Sequence, residues 1–121
     1  MRDHEVWRYE LISEIRTIAD EAELRRLWTG VNPRSISSFA EEVAHIFSDY
    51  DIDGFIEAGA DEGKLSSAQF AALQRFRDRF AAYLNEIAPM PLASISHESI
   101  LGDRRWGQVI KTAREFIALV E

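Results

Sequence analysis

The amino-acid sequence predicts an all-α fold, a helical bundle of four main amphipathic helices with one or two short helices between them. Three observations carry this. Apolar residues recur at i, i+3, i+4 and i+7 in four separate stretches, the spacing of one buried helix face. Helix-start signatures, two of them Ser-x-x-Glu/Gln capping boxes, stand ahead of these stretches. No segment alternates apolar and polar residues over the length of a strand, and β-branched residues are scattered. The chain, residues 1–121, reads as one domain, long enough to bury a core without staples.

The first helical stretch runs from Val6 to Trp28, with Val6, Tyr9, Ile12 (with Leu11), Ile15, Ile18 and Ala19 on one face. Trp7 lies one step off that face, at an edge or an interface. Asp20 either caps a second short helix carrying Leu24, Leu27 and Trp28, or lies inside a helix that runs straight through; Gly30 and Pro33 end the stretch. After a loop over 31–37, Ser38-Phe-Ala-Glu41 fits a capping box, with Ile36 upstream. The helix it opens buries Phe39, Val43, Ile46 and Phe47 and ends near Ser48. Asp51 or Asp53 then caps a brief helix through Phe55, Ile56 and Ala58, stopped by Gly59 and Gly63. Ser66-Ser-Ala-Gln69 is the second capping box and opens the longest helix, whose stripe is Phe70, Leu73, Phe76, Phe80, Tyr83, Leu84 and Ile87. Pro89 and Pro91 terminate it, and 92–96 links onward. Ser96 caps a single turn, His97 to Leu101, and Gly102-Asp103 starts the last helix with Trp106, Val109, Ile110, Ala113, Phe116, Ile117 and Val120 apolar.

Charge is distributed unevenly. The chain has 21 acidic and 14 basic residues, a formal charge of −7. Between Ser35 and Gly63 lie Glu41, Glu42, Asp49, Asp51, Asp53, Glu57, Asp61 and Glu62, with no Lys or Arg. This segment carries about −8 and the remainder about +1. An acidic pI near 5.0 argues against nucleic acid and anionic membrane as partners; a basic protein or a cation remains open. The absence of Cys excludes disulfides, zinc-thiolate sites and thiol nucleophiles. No apolar run approaches the roughly 18 residues of a membrane span, and the polar N-terminus does not read as a signal peptide. A cytoplasmic location is expected.

The residues raise four kinds of chemistry. Asp49-x-Asp51-x-Asp53-Gly54-x-Ile56 matches the first eight positions of an EF-hand loop, so Asp49, Asp51 and Asp53 are alternative calcium ligands. The position that needs the closing bidentate Glu is Ala60, and glycines interrupt the exiting helix. The stronger reading is an acidic docking surface. Asp49, Asp51 and Asp53 form its electrostatic centre, Tyr50 and Phe55 its anchors, and Glu57, Asp61 and Glu62 its rim. Eight acids without a base repel one another, a tension that a positively charged partner relieves. Catalysis is not expected: His4, His45 and His97 are far apart, and there is no HExxH, phosphate loop or nucleophile elbow. His45 reaches Glu41 or Asp49 at i±4, which reads as a helix-surface contact. Arg75, Arg77, Arg79, Arg104 and Arg105 read as helix-flanking residues that pair with acids on neighbours. No cofactor is expected.

Three stretches carry a family resemblance: Asp53-Gly-Phe-Ile-Glu-Ala-Gly, Gly63-Lys-Leu-Ser-Ser-Ala-Gln-Phe-Ala-Ala-Leu-Gln-Arg-Phe, and Gly102-Asp103-Arg-Arg-Trp106-Gly-Gln-Val-Ile. Together they resemble small bacterial toxin-immunity proteins of contact-dependent growth inhibition and polymorphic toxin systems. The juxtaposed Asp49-Tyr50-Asp51 is similar in style to colicin-type nuclease immunity proteins. The resemblance implies an immunity protein that binds and neutralises the basic toxin domain of a cognate effector, often a nuclease.

Overall fold

Trp106 sits at the centre of the molecule with no exposed surface. Around it pack the rings of Phe80, Phe39, Tyr83 and Trp28, at centroid distances of 5.3, 5.4, 5.6 and 5.8 Å. Aromatic pairs in this range add stabilisation beyond the area they bury. The four rings come from three helices and the indole from a fourth, so it joins most of the bundle. The computed structural model describes residues 3–29, 39–88 and 96–121. These form an all-α bundle, with no strand among the described residues.

The elements are α1 (His4–Ala19), α2 (Glu21–Thr29), α3 (Phe39–Ala44) running directly into a π-helical turn (His45–Asp49), α4 (Ile52–Ala58), α5 (Ser67–Ile87), α6 (His97–Leu101) and α7 (Arg104–Val120). α7 is central, packed most extensively on α5 and then on α1. α4 lies on α5, the π turn touches α1 and α4, and α6 fits between α2 and α7.

Local signals set most boundaries. Asp3 caps α1, accepting from the amides of Glu5 and Val6 at 2.8 and 3.3 Å. Asp20 breaks the first helical stretch in two, and its carboxylate accepts from the Glu23 amide at 3.1 Å. The Ser66–Gln69 box is complete in both directions, at 3.1 and 2.8 Å. Ser96 caps α6 and Asp103 caps α7. The other proposed box begins at Ser38, which lies outside the described residues, as do Gly30, Pro33, Ile36, Pro89, Pro91 and the 92–95 linker.

The stripes expected for α5 and α7 are the buried ones. Leu73, Phe76, Phe80, Tyr83 and Ile87 of α5 are buried, as are Trp106, Val109, Ile110, Ala113, Phe116 and Ile117 of α7, with Phe70, Leu84 and Val120 packed at the margin. α1 requires a correction. Val6 is 51% and Tyr9 72% exposed, while Trp7, Leu11, Ile12, Ile15 and Ile18 face inward. Both registers share Ile12, Ile15 and Ile18, so the periodicity of the second half does not distinguish them. The first turn is decided by Trp7: its ring meets Phe55 edge-on at 5.3 Å, and its indole N–H donates to the carbonyl of Tyr50.

Candidate functional site

Over 39–63 the acidic segment is folded, and its changes of direction have local causes. The helix begun by α3 ends near Ser48 as expected, but its last turn widens into the π turn, closed by the Tyr50 amide donating to the His45 carbonyl at 2.8 Å. Such turns hold one extra residue and recur at functional sites. Asp51 then adopts a left-handed conformation, φ 45°, which Asp tolerates better than most side chains. From there its carboxylate caps α4, accepting from the Gly54 amide at 3.0 Å. Gly54 is required by that cap, because a Cβ would lie 2.3 Å from Asp51 Oδ2. Gly59, at φ +98°, ends α4, and a tight turn leads through Gly63 to Lys64.

This geometry explains the Asp-x-Asp-x-Asp-Gly pattern without calcium. The chain is helical from Ile52 onward, where an EF-hand keeps a loop. Asp49, Asp51 and Asp53 also do not bring three carboxylate oxygens within 4.8 Å of one another. Asp51 caps, Asp53 lies in the first turn of α4, where the helix dipole favours an acid, and Gly54 makes room.

The proposed contact residues separate by burial. Asp49, Asp53, Glu57, Asp61 and Glu62 are exposed, and Tyr50 and Asp51 are half-buried. Phe55 is different: it is 2% exposed and packs beneath Trp7 and against Gly63, where an added Cβ would lie 2.7 Å from its ring. Phe55 therefore fastens the segment to the core, and its assignment as a partner anchor is corrected. Its apolar area is already removed from water, so it has none to offer a partner.

Internal neutralisation of the segment is partial. Arg77 reaches from α5 to Asp53 at 2.6 Å, and this carboxylate holds the Arg77 guanidinium above its usual range. His4 lies 3.8 Å from Glu62 and His45 3.9 Å from Asp49. Glu57 and Asp61 make no ion pair among the described residues. The other arginines behave as expected of helix-flanking residues. Arg79 and Arg105 converge on Glu86 at 3.8 and 3.5 Å, and Arg105 also holds Asp103 at 2.7 Å. That contact lowers the pKa of the Asp103 carboxyl.

The structure adds acids that linear charge counting missed. Packing of α1 against the π turn brings Glu10 and Glu14 beside Tyr50. Burial raises the Tyr50 phenol above its ordinary pKa, and the carboxylates of Glu14, Glu10, Asp49 and Glu42 add to the effect. Glu42, in the first turn of α3, is 2% exposed. His45 is more than a contact along its own helix, because its Nδ1 lies 3.3 Å from Glu14 Oε1 on α1. Glu14, Glu42 and His45 each place one donor atom within 4.8 Å of the others. His97 has a structural role, its Nδ1 lying 2.9 Å from the Trp28 carbonyl.

The site is thus an acidic face with a half-buried tyrosine at its centre, built on rigid elements, and suited to holding positive charge. No helix among the described residues is long and apolar enough to cross a membrane. No protein-family model matches this chain, and no curated protein or solved structure matches it at a significant level.

Proposed function

We propose that this protein is an immunity protein that binds and neutralises a basic toxin domain, of nuclease type, through the face formed by Asp49, Tyr50, Asp51, Asp53, Glu57, Asp61 and Glu62. One observation carries the reading. Arg77 pairs with Asp53, while the exposed carboxylates of Glu57 and Asp61 make no ion pair among the described residues and keep the field there negative. A nuclease cleft is cationic because it must hold phosphate, and an acidic face of fixed shape is its electrostatic complement. Opposite fields also raise association rates, and rim charges act chiefly on that step. Glu10 and Glu14 extend the face onto α1.

The test is binding to, and protection from, the basic C-terminal domain of a secreted effector encoded beside this gene. Co-expression should restore growth. The pair Glu57→Lys and Asp61→Lys should slow association by roughly tenfold at low salt. Glu98→Lys on α6 should leave it unchanged. Asp78 is a poor control, because it shares Arg77 with Asp53. Equal slowing by both sets, or an association rate indifferent to salt, rejects the acidic face as the contact surface.

A further inference from the structure

We propose that Glu14, Glu42 and His45 form a binding site for one divalent first-row transition ion, which would tie α1 to α3 beneath the acidic face. The site does not depend on the docking reading. Glu42 and His45 are three residues apart on one continuous helix, so their side chains share a face. A Glu-x-x-His pair joined by a glutamate from a facing helix is how helical bundles present metal ligands. Here α1 supplies that glutamate.

The distances suit coordination. Ligand atoms about 2.0–2.2 Å from a zinc ion lie roughly 3–3.5 Å from one another. His45 Nδ1 and Glu14 Oε1 are already 3.3 Å apart. All three donors lie within 4.8 Å, a gap that a carboxylate rotation closes. The donor set selects the ion class: an imidazole nitrogen disfavours calcium and magnesium, and two carboxylates with one imidazole suit zinc or manganese. Two carboxylates also balance the charge of a divalent ion.

Two further observations point to a ligand. Glu42 is 2% exposed and places a carboxylate oxygen within 4.8 Å of the other two donors, so an ion held there would be largely shielded from bulk water. The second ring nitrogen of His45, Nε2, faces Asp49 at 3.9 Å; an imidazole that binds metal through one nitrogen donates its other N–H to such a group. The side chains of Glu14 and His45 are 15% and 35% exposed, which gives an ion and its remaining water ligands a way in.

The experiment titrates the full-length chain, stripped with chelator, with ZnCl2 by calorimetry and with Co2+ by visible absorption. One ion per chain is expected, with a rise in thermal midpoint. Glu14→Gln and His45→Gln should each weaken binding by more than about tenfold, and Asp49→Asn by about tenfold. His4→Gln and Glu57→Gln should leave it unchanged. Glu14 and His45 are partly exposed, so their variants test binding without burying a new group, and far-UV circular dichroism verifies their helicity. Absence of heat and of a cobalt spectrum up to millimolar ion overturns the proposal. So does binding that survives both Glu14→Gln and His45→Gln.

Discussion

Gly54 offers a test of why the acidic turn has its sequence. An alanine there would place Cβ 2.3 Å from Asp51 Oδ2 and 2.9 Å from its Cγ, so the capping carboxylate must leave. Losing an Asp cap costs about 1 kcal/mol. Against this, Gly→Ala inside a helix is worth about 0.5–1 kcal/mol. Gly54→Ala in the otherwise native chain should therefore be neutral to destabilising by up to about 0.5 kcal/mol. In an Asp51→Ala background there is no carboxylate to displace, and the same substitution should stabilise by about 0.5–1 kcal/mol. Asp51→Ala alone loses both the cap and a side chain tolerant of φ 45°, a loss of roughly 1–3 kcal/mol; Asp51→Asn should retain most of both. Urea unfolding followed by circular dichroism gives all four corners of the cycle. The expected coupling is about 1 kcal/mol or more. If Gly54→Ala stabilises both backgrounds equally, the carboxylate does not occupy that position and the account of the turn is wrong.

Trp7→Ala should destabilise the fold by about 3–5 kcal/mol, whereas Tyr9→Ala should change it by less than about 0.5 kcal/mol. Similar effects would mean that the register of α1 is misread. Phe55→Ala should also destabilise by about 3–5 kcal/mol; a well-folded variant with weakened partner binding would restore Phe55 as an anchor. The Tyr83 phenol is pushed up to about 12 by burial, with the Asp103 carboxylate adding to it. An unfolded tyrosine titrates near pH 10, so between about 10 and about 12 only the folded chain keeps this proton. The contribution is complete below pH ~10 and is lost as pH rises toward about 12. Tyr83→Phe should flatten stability in that window and remove the latest phenolate absorbance step. An unaltered alkaline profile would count against the buried setting.

Helices, caps and the placement of negative charge are readable from the linear chain because they depend on neighbours a few residues away. Apolar spacing within α5 and α7 requires one face to turn inward, and the chain buries that face. Ser66, Ser96 and Asp103 start helices because a side-chain oxygen two or three bonds from Cα reaches amides two or three residues ahead. None of this needs knowledge of a partner helix. The Asp-x-Asp-x-Asp-Gly run shows the limit of local reading, because one spacing serves both a calcium loop and a helix cap, and the path of the chain after Ile52 distinguishes them.

Contacts between distant segments depend on how the helices dock, and no local rule specifies that. Trp7 displaces Val6 and Tyr9 from the interior because Phe55 and the Tyr50 carbonyl wait for it some 45 residues away. The same docking buries Phe55, sets Glu10 and Glu14 beside Tyr50, and brings His45 to Glu14. The amino-acid order thus determines an all-α protein with one strongly acidic stretch. Which of those acids face water, which are buried, and which meet a histidine from another helix follow from side-chain packing, where the largest apolar surface goes inside and the remaining groups take the positions left to them.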